Sequence, residues 1–267
     1  MTSRHLGIRL PAVAGSFYPA KRDALFDSVR QCFAGARRPG PAEPAPKAVV
    51  VPHAGYLYSG PVAASAYLRL APAAPVISRV VLLGPSHRVP LDGVAVSGAD
   101  AFATPLGVVP VDDAGRRSAE AAGAVRTNEP FALEHSLEVQ LPFLQVVLDH
   151  FTLVPLAVGL SVPAAVADVL DAVWGGPETV VVTSTDLSHY HPYDVATALD
   201  RRTADAVVAM RAEAVGDRDA CGVHALRGLL EAARRRDLPV ELLDLRNSGD
   251  TAGTPDRVVG YGAFAVG

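Results

Sequence analysis

Three apolar runs in this 267-residue chain lead to histidines. Ala48-Val49-Val50-Val51-Pro52 runs into His53, and Val80-Val81-Leu82-Leu83-Gly84-Pro85-Ser86 runs into His87. Thr179-Val180-Val181-Val182-Thr183-Ser184-Thr185-Asp186 runs toward His189. Imidazoles bind metals and move protons near neutral pH. Asp186 precedes His189 by three residues, so one turn can set the carboxylate beside the ring, orient it and raise its basicity. The competing reading of that stretch is a capped turn, with Asp186 or Ser188 bonding backbone amides. A lone histidine after a strand is commonly a hydrogen-bonded structural residue. Two strand-end elbows, each delivering one, make a site the stronger reading for His53 and His87.

Other residues could join them. Pro52-His53-Ala54-Gly55-Tyr56 and Gly84-Pro85-Ser86-His87 are tight turns whose glycines allow close backbone approach to a ligand, with Tyr56 and Ser86 beside the cleft. His135 stands just outside a helix in which Ser136 reads as the cap and Glu138 as a first-turn acid; it can point into the cleft. Cys221, in Asp219-Ala220-Cys221-Gly222-Val223-His224, falls at a helix start, where thiol pKa values drop and the thiolate serves as nucleophile or soft ligand. Read without further context, a lone Cys is more often a small buried hydrophobe; His224 lies within reach of the same end. Cys32, in an amphipathic helical pattern, reads as core. His191, before Pro192, reads as exposed.

The elements that must position these groups follow from periodicity. Short β-branched runs bounded by Gly, Pro or Ser predict buried parallel strands at 48–52, 79–84, 151–158 and 179–185. Strand-like pieces at 93–97 and 107–111, and closing strands near 240–245 and 258–266, complete a sheet. Helices are expected at 22–34, 61–70 with Pro61 in first position, 113–122, 136–149, 162–174 capped by Ser161, 195–211 and 219–236. Residues 35–46 form a Pro-rich loop and 186–193 a polar elbow. Alternating strands and helices predict a three-layer α/β/α sandwich around a mostly parallel or mixed sheet, with residues 1–267 as one domain. In such sheets ligands bind at the carboxyl ends of the strands, where the histidines fall.

Composition limits the function classes. Hydrophobic residues make up 49% of the chain and charged residues 19%, enough for a large core. A net charge of −4 without a basic block argues against a nucleic-acid partner. No apolar stretch reaches a membrane span, and Met1-Thr2-Ser3-Arg4-His5-Leu6 lacks a signal-peptide core, so a cytoplasmic location is expected. Two cysteines make a disulfide framework improbable there. The excess of 22 Arg over 2 Lys suggests a GC-rich bacterial genome. Phosphate-loop, Gly-x-Ser-x-Gly and His-Glu-x-x-His signatures are absent from the sequence.

Taken in order, the segments resemble the Memo family over nearly the whole chain. They are Pro11-Ala12-Val13-Ala14-Gly15-Ser16-Phe17-Tyr18-Pro19, Val51-Pro52-His53-Ala54-Gly55-Tyr56-Leu57-Tyr58-Ser59-Gly60, Leu83-Gly84-Pro85-Ser86-His87, Glu134 to Pro142, Thr183 to Tyr190, Cys221-Gly222, Asn247-Ser248-Gly249-Asp250 and Gly260-Tyr261-Gly262-Ala263. The resemblance implies a fold like that of the class III extradiol dioxygenases. There two His and one Glu hold Fe(II), and a further His is the acid/base. Carried over by motif, His53 and His87 match the two His ligands, Cys221 takes the place of the Glu, and His189 with Asp186 matches the acid/base. A thiolate in place of a carboxylate shifts metal preference and puts ring cleavage in doubt. The implied function is a metal-dependent redox enzyme using iron or copper. The alternatives are a peptide- or partner-binding protein with a vestigial metal site, and a zinc hydrolase. Some bacterial relatives form a group, AmmeMemoRadiSam system protein B, named for co-occurrence with AMMECR-type and radical-SAM proteins. Such proteins are the expected pathway partners, and a small molecule or peptide is the expected substrate.

Overall fold

A computed structural model describes residues 7–38, 40 and 43–267. The elements run β1 Ile8–Arg9, α1 Arg22–Ala34, β2 Ala48–Val51, α2 Tyr56–Leu70, β3 Arg79–Pro85, β4 Val94–Val96, β5 Ala101–Thr104 and β6 Gly107–Pro110. Then come α3 Asp113–Ala121, β7 Val125–Arg126, α4 Leu141–Val147, β8 Thr152–Val158, α5 Pro163–Val173, β9 Thr179–Ser184 and β10 His189–His191. The chain closes with α6 Tyr193–Val208, α7 Val223–Arg234, β11 Val240–Asn247 and β12 Val258–Val266.

Nine strands form one mixed sheet in the order β10-β12-β2-β9-β3-β8-β4-β7, with β11 paired to β12. Its centre, β2-β9-β3-β8, is parallel; β4 and β12 flank that centre antiparallel. Alternation along the central strands sorts the core into two faces. Val49, Val51, Val80, Leu82, Val180 and Val182 pack with α1, α2 and α4. Ala48, Val50, Val81, Leu83 and Val181 pack with α5, α6 and α7. This is the expected α/β/α sandwich, helices covering both faces of a sheet whose central strands are apolar throughout. Val51 pairs with Ser184, and Leu83 with Thr183, so β2, β9 and β3 end level on one rim.

Some boundaries differ from expectation for local reasons. Helix α2 begins at Tyr56, five residues before Pro61, which sits inside it. At that position the proline forfeits only the bond to Leu57 O. Residues 136–149 are not one helix: a 3₁₀ turn at Glu138–Gln140 precedes α4, with Pro142 in its first turn. Ser136 does not cap it, because its Oγ donates to Pro85 O. Glu138 is fully buried and serves the N-terminal segment instead, through Arg9, the Ala12 and Val13 amides and Tyr18 OH. Ser161 makes no cap bond; the α5 cap position is Val162. A strand unforeseen from sequence, β5, joins β1 and β6 in a separate three-stranded sheet. The Pro-rich loop carries no helix or strand over its described residues; residues 1–6, 39, 41 and 42 lie outside them.

Candidate metal centre

The level rim brings His53, His87 and Cys221 together: their donor atoms lie within 4.8 Å of one another. His53 follows β2 by two residues and His87 follows β3 by two. Cys221 arrives from the other side of the sheet, just before α7. The Thr185 N–H donates to Val51 O at 2.8 Å, and Gly222 N donates to Thr185 Oγ1 at 2.8 Å, which ties the α7 entry to the ends of β2 and β9. A Cβ at Gly222 would meet Ser184 O and the Thr185 side chain at 2.8 Å, so only glycine lets Cys221 come this close. Cys221 Sγ stands 3.1 Å from His53 Nε2.

Hydrogen bonding decides which nitrogen each imidazole offers. Ser184 Oγ spends its proton on Ser136 O at 2.7 Å and receives Gln140 Nε2 at 2.8 Å. It can therefore only accept from His53 Nδ1, 2.8 Å away. Tyr67 OH, donating to Gln140 Oε1, fixes the amide orientation on which this depends. His87 Nδ1 faces Glu134 Oε1 at 2.9 Å, an acceptor. His189 Nδ1 faces Leu187 O at 2.8 Å, also an acceptor. All three rings thus carry Nδ1–H and leave an Nε2 lone pair, the form that binds a metal or accepts a proton. Burial holds the His53 pKa well below the usual value, aided by the neighbouring imidazoles, so the ring stays neutral. Burial also lowers that of His189.

Glu134, not singled out from sequence, organises one wall. Its carboxylate accepts from the backbone amides of His87, His135 and Ser136 as well as from the His87 ring. Burial pushes its pKa up, but the hydrogen bonds from the His87 ring and the backbone amides outweigh it and hold the group at about 2. With His87 and His135 it forms a second group of metal-competent side chains. Its oxygens are already committed, so it acts as a bracket for the two rings. His135 stacks on His87 with centroids 4.8 Å apart and lies edge-on to His53 at 5.3 Å. Phe17 also packs against it, tilted, with centroids 4.8 Å apart. Its Nδ1 is buried without a hydrogen-bond partner among the described residues. Burial, opposed by Glu134, lowers its pKa to about 4.

Five expected site residues are placed differently by the structure. Asp186 is not the partner of the His189 ring. Its Oδ1 accepts the His53 backbone N–H at 2.7 Å, and burial raises its pKa to about 7. Cys221 lies before the α7 cap residue Gly222, outside the first turn, and burial with the Asp186 charge pushes its thiol up to about 12. The helix end does not make it acidic, although the Asp186 N–H does point at Sγ from 3.3 Å. Tyr56 is buried in α2 with its hydroxyl donated to Val139 O at 2.6 Å, so it belongs to the core. Ser86 Oγ closes its own turn on Val89 O, and His224 Nδ1 bonds Ser161 O, away from the cluster. Cys32 is buried and His191 exposed, as expected.

The donor set suits a borderline or soft cation. Two imidazole lone pairs and a sulfur, with a third imidazole and a base at the edge, match iron, copper or zinc better than magnesium or calcium. The tautomers are set before any ion binds.

The family described as Memo-like protein matches residues 9–265. Curated relatives carry the name MEMO1 family protein. One from Methanothermobacter thermautotrophicus is 36% identical over 95% of this chain and 98% of its own. One from Thermotoga maritima is 35% identical over 95% and 97%, and one from Aeropyrum pernix 38% over 97% and 99%. The relatives thus include archaea, and the arginine bias does not mark the family as bacterial. With a match across the whole strand-end rim and relatives of the same length, the chain belongs to the Memo family.

Proposed function

We propose that this chain is a metal-dependent redox enzyme holding iron or copper through His53 Nε2, His87 Nε2 and Cys221 Sγ. The observation that carries it is the convergence of these three donors with both imidazole tautomers already fixed by Ser184 and Glu134. Such an ion, held by these three protein donors, would supply the redox chemistry. Ser184 and Asp186 hold His53, one by its ring and one by its backbone. Glu134 holds His87. His189 presents an Nε2 lone pair and takes the proton that the substrate gives up. The substrate is a small molecule or peptide, the setting is cytoplasmic, and AMMECR-type and radical-SAM proteins supply or consume that substrate. Among the described residues no helix is long and apolar enough to cross a membrane.

Elemental analysis of anaerobically purified protein tests this. Near-stoichiometric iron or copper in the wild type, lost in His87→Ala, with substrate-dependent O₂ uptake, is the expected result. Zinc with hydrolysis and no O₂ uptake would favour the hydrolase reading.

A second reading has one observation in its favour. Leu57, Leu133, Leu160 and Tyr190, on the segments that border the rim, are exposed. Exposed apolar groups around a cleft suit a docking surface for a peptide or protein partner. A partner retained by the His53→Ala, Cys221→Ala double variant would favour that role with the metal site vestigial.

A further inference from the structure

The His189 elbow is built at a cost that its own hydrogen bonds do not explain. Tyr190 adopts φ 62°, left-handed backbone that an aromatic residue rarely takes. The pairing of β10 with β12 breaks register between His189 and His191. Behind the elbow, Asp200 on α6 is buried, and its Oδ1 accepts the Ser188 N–H at 3.0 Å. Its Oδ2, like Ser188 Oγ, has no hydrogen-bond partner among the described residues. A fold that buries a half-satisfied carboxylate beside a strained turn is holding that turn in one position.

The chain of contacts runs from Asp200 to the imidazole. Asp200 grips Ser188 N. Ser188 O accepts from Gly260 N at 2.8 Å, and Leu187 N donates to Gly260 O at 2.8 Å, so residues 187 and 188 are clamped between α6 and β12. Leu187 O, thus placed, receives His189 Nδ1–H. Gly260 is part of the device: a Cβ there would fall 2.0 Å from Asp200 Oδ2, so the carboxylate occupies the space that a side chain would need.

We infer that Asp200, twelve residues downstream of the elbow, is the positioning residue for His189: by holding Ser188 N it sets Leu187 O, and Leu187 O sets the imidazole as the Nδ1–H tautomer with a free Nε2 lone pair. The role that the sequence assigned to Asp186 is thereby divided. Asp186 holds the His53 backbone, and Asp200 holds the His189 elbow. The inference rests on the proposed function only in giving that lone pair a proton to accept; the tautomer itself belongs to the metal-free protein.

The test is ¹⁵N NMR of the imidazole side chains in metal-free protein near pH 7.5, so it does not depend on activity or on metal uptake. Wild-type His189 is expected as the Nδ1–H tautomer. Asp200→Asn keeps an oxygen for Ser188 N and should preserve it. Asp200→Ala should lose it to a mixture of tautomers, while His53, held by Ser184, stays unchanged in all three proteins. If Asp200→Ala does not fold, Asp200→Leu fills the space without an acceptor and gives the same readout. A wild-type His189 protonated on Nε2, or an Nδ1–H tautomer that survives in Asp200→Ala or Asp200→Leu, overturns the inference. So does simultaneous loss of the His53 tautomer, which would mark Asp200 as a general structural residue. Failure of the wild type to bind metal would sink the proposed function and leave this result standing.

Discussion

Asp186 Oδ1 accepts the backbone N–H of His53 at 2.7 Å, a bond between residues 133 positions apart that locks the end of β9 to the end of β2. A carboxylate that is short of solvent holds its proton more tightly, and burial raises this one to about 7. A folded-state pKa above the unfolded value means that the ionised form burdens the fold. Its contribution is full at low pH and is lost as pH rises through 7. Asp186→Asn keeps an acceptor for His53 N without the charge, and should equal or exceed the wild type in stability at pH 8. Asp186→Ala leaves a buried N–H unpaired and should cost about 1–3 kcal/mol. Urea denaturation of the metal-free proteins checks both; an alanine variant as stable as the asparagine variant would refute the assigned role.

Glu134 works in the opposite direction. Its pKa is held at about 2 against an ordinary 4.5, so its stabilising contribution is present above 4.5 and disappears as pH falls through 2. The shift corresponds to about 3 kcal/mol. Glu134→Gln should therefore be less stable than the wild type at pH 6, and the difference should close near pH 2. Metal affinity should fall about 10- to 100-fold in the same variant, because the His87 ring loses its carboxylate. Parallel acid titrations by circular dichroism, with metal competition assays at pH 7, read the two effects.

Cys221 should behave as a thiol until a metal arrives. With its pKa pushed up to about 12, the metal-free residue should react slowly with iodoacetamide at pH 7.5, no faster than buried Cys32. Binding a cation requires the thiolate, so metal uptake should release about one proton and strengthen with rising pH. Calorimetry in buffers of different ionisation heat measures that proton. Cys221→Ser should abolish its release and lower affinity sharply, whereas Cys32→Ser should change neither. Uptake without proton release would remove Cys221 from the donor set.

Ser184→Ala tests whether the tautomer of His53 is set in advance. Without the hydroxyl, Nδ1–H loses its acceptor and the ring can turn its lone pair away from Cys221. Metal affinity should fall about 10- to 100-fold with little loss of secondary structure. Gln140→Leu leaves the Ser184 proton on Ser136 O, so Ser184 still accepts from His53 and binding should fall much less than in Ser184→Ala. Unchanged affinity in Ser184→Ala would show that the imidazole finds its tautomer from the metal alone.

The sequence by itself determined the sandwich, the central strands and the rim on which His53, His87 and His189 end. Each of these follows from local rules: β-branched apolar runs for buried strands, and chain punctuation at their carboxyl ends. Helix α1 and strand β12 fall at the expected residues for the same reason. Cys221 came into the donor set through the family resemblance, since nothing in its own neighbourhood separates a ligand from a core residue. The tertiary structure alone decided the partners. Asp186 and His189 are close in sequence, but the turn between them points the carboxylate across the sheet to His53, and Asp200 on α6 takes the elbow. Glu134 and Glu138 sit four residues apart in one segment, yet one brackets the imidazoles and the other anchors the N-terminal segment. A carboxylate bonds whichever amides the packed fold leaves unpaired beside it, and those amides come from strands and loops that sequence spacing does not bring together. The same holds for the Cys221 thiol: its acidity depends on burial at the β9 rim, which outweighs the pull of a nearby helix end.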